Sequence, residues 1–350
     1  MPIDVVTADG RALTLTERVG VGAQGGVFRV AGSPLLAKLI IGADDASPTA
    51  RKLDRMVRHS RAPRTVKLLG GGTGTGTGTA TPPRAAWPLV RIATRNGRVV
   101  GFLMTDLTAW YHSFDVFFSP QSRHAAFPGI TWALAVAAAR DLSALVADLH
   151  AENYVIGDLK AGNLWLNTEG GVAISDADSF QFTDGEAFFA CRVRSDGYIA
   201  PELTASPDRL PDEHTDTFAL GVLVHQLLMC GAHPFAGVGP DGDYRGLDDN
   251  AARRRTRLLD PASVRVAPGT PPLSALPRPV RDLMKRCFDP GSGGPRSRPT
   301  AREWFDTLSD CAAPRALKQC SVIATHCYPS DIPWCPWCDV RAIGVDCFPQ

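Results

Sequence analysis

The sequence predicts an α+β fold in two lobes, a β-rich first part and a helical second part, followed by a short cysteine-rich tail. Three observations carry this expectation. Alternating or apolar runs of strand length crowd residues 12–41 and 87–104. Longer apolar stretches of helical length, Trp132–His150 and Thr217–Cys230, come after them. Six of the nine cysteines then fall between Cys311 and Cys347. The expected organisation is a small lobe at 1–106, a large lobe at 107–312 and a tail at 313–350.

Composition sets the outer bounds. The 350 residues are 44% hydrophobic and 21% charged, which is globular, and the length suits one bilobal domain or two ordinary ones. A formal net charge of +1 gives no strong attraction to nucleic acid or to a membrane surface. Met1-Pro2-Ile3-Asp4 does not read as a signal peptide. The apolar helical candidates are interrupted by Arg140-Asp141 and by His225-Gln226, so neither is expected to span a bilayer. With no secretion signal, a cysteine cluster containing C-x-x-C reads as metal-binding rather than as a disulfide framework, and a cytoplasmic protein is expected.

Taken in order, Ala12–Val19 leads into Gly20-Val21-Gly22-Ala23-Gln24-Gly25-Gly26, a return strand runs to Val30, and Leu35–Ile41 follows with Lys38 inside it. Glycines allow close backbone approach to phosphate, and their N–H groups can cradle it. A lone G-x-G-x-x-G is also a dinucleotide fingerprint, but here it joins two strand-like runs and no helix opens after the last glycine. A lysine within Leu36-Ala37-Lys38-Leu39-Ile40 costs free energy unless it is paired, or else it faces water on an edge strand. Residues 47–59 read as a helix, with Ser47 as N-cap and Pro48 at the first helical position. Gly70–Thr81 is a low-complexity Gly-Thr run, expected to be a flexible loop. Trp87–Ile92 and Val99–Met104 flank Asn96-Gly97, a hairpin turn signal.

The chemistry concentrates in Tyr154–Phe182. Two short apolar runs, Leu164–Leu166 and Val172–Ile174, sit on either side of Asn167–Gly171. Asp158, Lys160 and Asn163 precede the first run and Asp176 follows the second. A hairpin would bring two carboxylates, an amide and an ammonium around one point. Such a cluster can supply the protein's share of ligands to Mg²⁺, which takes oxygen ligands together with substrate phosphates.

This stretch resembles the catalytic loop and metal-binding segment of the eukaryotic-type protein kinases, H-R-D-L-x-x-x-N followed by D-F-G. Here it reads Ile156-Gly157-Asp158-Leu159-Lys160-Ala161-Gly162-Asn163, then Asp176-Ala177-Asp178. Further matches follow in the family's order: Leu149-His150, Ala200-Pro201-Glu202, Asp216, G-x-x-P-F at Gly231–Phe235, and Arg298-Pro299-Thr300. The resemblance implies an ATP- and Mg²⁺-dependent protein Ser/Thr kinase with a bilobal kinase-like fold. It assigns Asp158 to the substrate hydroxyl and Lys160 to the transferring phosphoryl group. Asn163 and Asp176 would hold Mg²⁺, and Lys38 the α/β-phosphates. Gly20, Gly22, Gly25 and Val27 would cover the nucleotide, with Met104 behind the adenine and Thr105, Asp106 and Leu107 as the hinge. Asp216 would bond backbone N–H groups of the catalytic loop, and Arg298 would pair with Glu202.

Three departures from the family bear on function. The residues before Asp158 are Ile156 and Gly157, so the arginine that grips a phosphorylated activation segment is missing. D-F-G is D-A-D, which removes the phenylalanine switch and adds a second acid, Asp178, next to the metal site. The helix at 47–59 carries no glutamate to pair with Lys38, so either Asp54 reaches that lysine or the pairing is lost.

The D-x-D-S-F-Q form and the tail narrow the resemblance to a bacterial subgroup of kinase-like proteins. These are often encoded beside a von Willebrand A-type protein and a metal-dependent protein phosphatase, in tellurite-resistance-type gene neighbourhoods, which implies a signalling or stress-response role. In the tail, Cys335-Pro336-Trp337-Cys338 is a zinc-knuckle turn. The subgroup's C-x-x-x-x-x-H-x-Y pattern implies Cys320 and His326 as the other ligands of a structural Zn²⁺, with Cys327 and Cys347 as competitors. A redox C-x-x-C and free buried cysteines are the alternatives. Zinc would pin the tail to the large lobe or present Trp334 and Trp337 to a partner. Two other functions compete with the kinase: a pseudokinase scaffold that binds nucleotide and recruits a partner, favoured by the missing helix acid and by D-A-D but opposed by the intact Asp158, Asn163 and Asp176, and a small-molecule phosphotransferase, disfavoured by the complete A-P-E segment.

Overall fold

The computed structural model describes residues 2–22, 25–41, 47–62, 65–66 and 81–350. The chain divides into two compact units, residues 1–111 with 173–189, and residues 112–172 with 190–350. Gly70–Ala80 of the Gly-Thr run, and Ala23-Gln24 of the glycine loop, lie outside the described residues.

In the first unit, β1 (Ile3–Thr7), β2 (Ala12–Gly22), β3 (Gly25–Val30), β4 (Leu35–Ile40), β5 (Val90–Ala93) and β6 (Val99–Thr105) close an antiparallel barrel of order β1-β2-β3-β4-β6-β5. Val5, Leu15, Val30, Ala37, Ile92 and Leu103 fill it. β1 is absent from the sequence-based expectation, since only Val5 and Thr7 of its five residues are buried and it gives a weak alternation. Trp87–Leu89 lies before β5 rather than in it. Side chains alternate across a strand. Ala37 therefore faces the barrel core, with Leu35 and Leu39 packed against it, and Lys38 leaves the opposite face of β4. Gly25 sits where β3 meets β4 so closely that a Cβ would lie 1.7 Å from the Leu39 carbonyl oxygen.

Helix α1 (Pro48–His59) begins as the sequence predicts: Ser47 Oγ accepts from Ala50 N–H at 3.1 Å and Pro48 opens the first turn. It buries Ala50, Leu53 and Met56, and the Met56 carbonyl accepts from Trp87 Nε1 at 2.9 Å.

The second unit is mainly helical: α2 (Pro120–Ala126), α3 (Trp132–Ala151), α4 (Pro201–Ala205), α5 (Glu213–Leu228), α6 (Leu247–Ala252), α7 (Arg278–Phe288), α8 (Ala301–Ala312) and α9 (Pro336–Ala342). α3 packs against α5 and α8, and α5 also packs against α7. Every residue of α5 from Thr215 to Leu228 is buried, as expected of a helix that is apolar all round. It starts a turn earlier than its apolar run because Asp212 caps it. Asp212 Oδ1 accepts from Thr215 N–H, and Thr215 Oγ1 accepts from Asp212 N–H, each at 3.0 Å. Among the described residues, no helix is long and apolar enough to cross a membrane.

Two histidines, His225 buried and His233 half-buried, should make this unit acid-sensitive. His225 Nδ1 donates to the Ala232 carbonyl at 2.8 Å, and burial pushes its pKa down to about 3. His233 Nε2 donates to Gly197 O at 2.8 Å while its Nδ1 accepts from Phe235 N–H at 3.2 Å, and burial pushes its pKa down to about 4. Both rings are neutral when folded but titrate near 6.5 when unfolded. Their contribution is therefore fully present above about pH 6.5 and is lost as pH falls toward the folded values. The urea midpoint should fall between pH 7.5 and pH 5, and His233→Gln should flatten that dependence. An equal fall in the variant would exclude His233 as a cause.

The tail packs within the second unit. Strands Leu317–Gln319 and Cys327–Pro329 pair, and α9 follows. Trp337 is fully buried, its Nε1 donating to the Cys327 carbonyl at 2.6 Å and its ring lying 6.2 Å from Trp132 and 4.9 Å from Phe348. Arg123, also fully buried, donates to Cys347 O at 2.6 Å and lies over the Phe348 ring at 5.5 Å. Trp337 is thus an anchor rather than a residue offered to a partner, whereas Trp334 is half exposed.

Candidate active site and metal centre

The residues expected at the site fall into two sets, one in each unit. In the first unit, Lys38 Nζ meets Asp178 through both carboxylate oxygens, at 2.8 and 3.0 Å, and Asp176 through one, at 3.2 Å. Burial opposes charge on Lys38, but the carboxylates of Asp178 and Asp176 outweigh it and its pKa is raised. The two acids differ in setting. The side chain of Asp178 is 5% exposed and that of Asp176 is 46% exposed. Asp176 adopts a left-handed backbone, φ 56°, which aspartate tolerates better than most residues. Asp54 of α1 does not reach Lys38: it accepts from Arg91 at 3.0 and 3.1 Å. The second of the two expectations for that helix therefore holds.

The remaining nucleotide candidates lie on the barrel. Gly20 pairs with Val27, and Gly22 with Gly25, across β2 and β3. Met104 and Thr105 end β6, Met104 being buried. Asp106 caps the turn Leu107–Ala109, its Oδ1 accepting from Thr108 N–H at 2.9 Å. Leu107 is buried.

In the second unit, Asp158 Oδ2 takes Lys160 Nζ at 2.9 Å, and Lys160 also donates to Ser195 Oγ at 2.7 Å. Asn163 Nδ2 donates to the Asp158 carbonyl at 3.0 Å, which commits its amide nitrogen to the loop. Asp158 Oδ1 is buried and has no hydrogen-bond partner among the described residues. The loop is fixed from below by Asp216 on α5. Its carboxylate accepts from Ile156 N–H at 2.7 Å and Gly157 N–H at 2.8 Å, and meets His150 Nε2 at 3.1 Å. Strand Leu164–Leu166 follows, and Asn167 closes the next turn by accepting from Gly171 N–H at 2.7 Å. Glu202 and Arg298 form a bidentate ion pair, one arm at 2.8 Å.

Gly157 shows why no arginine precedes Asp158. Its φ is +74°, and a Cβ there would lie 2.7 Å from Cys191 Sγ. A side chain at this position would meet both backbone strain and the cysteine.

The tail holds a second cluster. Ligand atoms of Cys320, His326, Cys335 and Cys338 all lie within 4.8 Å of one another. Cys320 and Cys338 sulfurs are 3.7 Å apart, and His326 Nδ1 is 3.4 and 3.5 Å from those of Cys335 and Cys338. A tetrahedral zinc with ordinary bond lengths requires edges of about 3.8 Å between sulfurs and about 3.5 Å between sulfur and nitrogen. The set of three thiols and one imidazole fits such an ion. His326 Nε2 faces Asp346 at 3.8 Å, a carboxylate that could orient the ring from outside the cluster. Cys347 lies elsewhere, a free thiol within hydrogen-bonding reach of the Cys230 thiol. Asp346 and Arg123 had no signal in the sequence, because each acts across a long stretch of chain.

The protein kinase domain profile matches residues 126–307, just over half of the chain. The chain belongs to the protein kinase domain family. Bacterial protein kinases are among the relatives of this kinase-family chain. It is 28% identical over 360 residues to "Protein kinase YegI" of Escherichia coli (strain K12), spanning 98% of this chain and 51% of that protein. It is 30% identical over 268 residues to "Protein kinase YegI" of Escherichia coli O157:H7, spanning 74% of this chain and 41% of that one. The chain thus spans about half or less of the length of these relatives. Its fold is similar to a rhoptry kinase from Toxoplasma gondii, with a TM-score of 0.55, 15% identity, and coverage of 89% of this chain and 84% of that one. The protein kinase fold is therefore shown, and with it ATP and Mg²⁺ as the implied cofactors.

Proposed function

We propose that the chain is a protein serine/threonine kinase, transferring the γ-phosphoryl group of ATP to a protein hydroxyl in a bacterial signalling or stress-response system. The observation that carries this is Asp158: a buried carboxylate with one oxygen held by Lys160 and the other without a partner among the described residues. An unpaired buried acceptor is costly unless something uses it. A substrate hydroxyl is the natural partner, donating to Oδ1 as its proton is taken.

Mg·ATP supplies the electrophilic phosphorus. On this proposal Lys38 binds the α/β-phosphates, and Asp176 and Asn163 offer oxygens to Mg²⁺. Gly20, Gly22, Gly25 and Val27 would cover the phosphates, and Met104, Thr105 and Leu107 would receive the adenine. Lys160, already poised between Asp158 and Ser195, can follow charge onto the transferring group. Serine or threonine acceptors, a von Willebrand A-type protein and a metal-dependent phosphatase as partners, and a cytoplasmic location all follow from the resemblance of the sequence. A reducing cytoplasm also suits a thiolate zinc site.

Purified protein incubated with radiolabelled Mg·ATP and candidate substrates should become labelled itself or label a substrate on serine or threonine. Labelling on tyrosine alone would defeat the proposed specificity. The second possibility is a nucleotide-binding scaffold without transfer, favoured by the engagement of Asp54 with Arg91 instead of Lys38. Nucleotide binding with no label above the Asp176→Ala background would establish it.

Activity should not depend on phosphate in residues 177–202, the equivalent of the family's activation segment. No arginine fits at Gly157, and Ser195 Oγ is already bonded to Lys160. Phosphatase-treated protein should keep its rate. Inactivation that is reversed by rephosphorylation of Thr183 or Ser195 would overturn this.

A further inference from the structure

We propose that Asp178 is the fixed counter-ion that positions Lys38 for nucleotide, and that helix α1 has no part in this. The proposal rests on the assignment of Lys38 to the nucleotide phosphates. In protein kinases the corresponding lysine is paired with a glutamate on the helix after its strand, and movement of that helix controls the pair. Here α1 carries one acid, Asp54, and both its oxygens are given to Arg91.

The geometry assigns the two neighbouring acids to different tasks. Asp178 is sealed from solvent and turns both oxygens to the single ammonium of Lys38. Charge-assisted bonds of this kind are strong, and removing one partner leaves the other charge buried and unpaired. Asp176 is open to solvent and gives Lys38 one oxygen at the longer distance, so a cation can still reach it. The spacing of the two acids is fixed by a single 3-10 turn, Ala177–Ser179. Ser179 N–H donates to Asp176 O at 2.9 Å, and Phe180 N–H donates to Ala177 O at 3.0 Å. Ala177 is fully buried, so the place of a bulky switch residue is closed by a methyl group. The lysine's partner therefore travels with the metal-binding aspartate on one rigid turn. Helix α1 packs against this turn but gives the lysine no acid, so the counter-ion comes from the turn itself and Asp178 acts as a positioning residue through Lys38.

Two measurements on the full chain test this. The first is equilibrium binding of Mg·ATP as a function of ATP and of Mg²⁺. Asp178→Asn should weaken ATP binding at least about tenfold, the scale of one lost charge-assisted hydrogen bond. It should leave the Mg²⁺ concentration for half-saturation unchanged, and Asp178→Glu should recover part of the loss. Asp176→Asn should instead raise the Mg²⁺ requirement, and Asp54→Asn should change neither. The second is a double-mutant cycle of Lys38→Met and Asp178→Asn on the urea midpoint, which needs no nucleotide. The double variant should be less destabilised than the sum of the singles. Wild-type ATP affinity in Asp178→Asn, a raised Mg²⁺ requirement there, equal weakening by Asp54→Asn, or an additive cycle would each overturn the proposal. A wild-type chain that binds no Mg·ATP would defeat the nucleotide assignment and the positioning role with it. A non-additive cycle in that case would show the ion pair to be structural alone.

Discussion

Asp158→Ala should lower phosphoryl transfer by about 10²–10⁴-fold, the range for losing a positioned general base. Nucleotide affinity should remain close to that of the unaltered protein. The split follows from what the side chain touches. Asp158 bonds Lys160 and lies against Asn163, and its other oxygen faces no protein donor among the described residues, so its work lies with the acceptor hydroxyl rather than with ATP. Asp158→Asn retains the shape and removes the base, and should lose nearly as much. Initial rates with labelled ATP, beside a binding isotherm for each variant, measure both quantities. Transfer within tenfold of the original rate in both variants would remove Asp158 from the chemistry. Asp176→Ala should also abolish transfer, but through a loss of metal-dependent nucleotide binding.

The tail should carry one zinc per chain, and Cys335→Ser should release it. Structural zinc sites bind with apparent free energies of about 10–16 kcal/mol at neutral pH, and in a segment this short that energy is largely its folding energy. Loss of the ion should therefore expose residues 313–350 to proteolysis, while binding of Mg·ATP, which draws on Lys38 and Asp176, persists. Elemental analysis and limited digestion decide it. Metal-free native protein with a Cys335–Cys338 disulfide would make the tail a redox element instead. Cys327→Ser and Cys347→Ser should keep the zinc, since neither thiol belongs to the cluster of four.

Much of this was legible in local sequence because the determinants are local. Ser47-Pro48 opens α1, and Asn167 closes the turn between two short strands. The strands of the glycine hairpin and the helix Trp132–Ala151 follow from alternation and length. Asp216 and the Glu202–Arg298 pair were reached through motif order, and both make the contacts the resemblance implied. What could not be read was the choice between partners. Nothing in the sequence says whether Asp54 turns to Lys38 or to Arg91, because that depends on how β4, β5 and α1 pack. Asp178 looked like an extra acid beside a metal, and only its burial against Lys38 separates it from Asp176. Gly157 could be read as a missing arginine, but its reason, the closeness of Cys191, needs the fold.

The burial of Trp337 and Phe348 changes what a usable fragment of this protein is. The family profile stops at residue 307, which invites expression of a shortened kinase ending near Ala312. Such a fragment would uncover the face of Trp132 and strip Arg123 of its Cys347 carbonyl and its Phe348 ring. A bare tryptophan face, with a guanidinium left only its Phe117 contacts, is a sticky surface, and apolar patches of this sort drive association. The shortened protein should come out of cells aggregated or bound to chaperones. Poor yield from it would then reflect the cut and say nothing about the enzyme's competence.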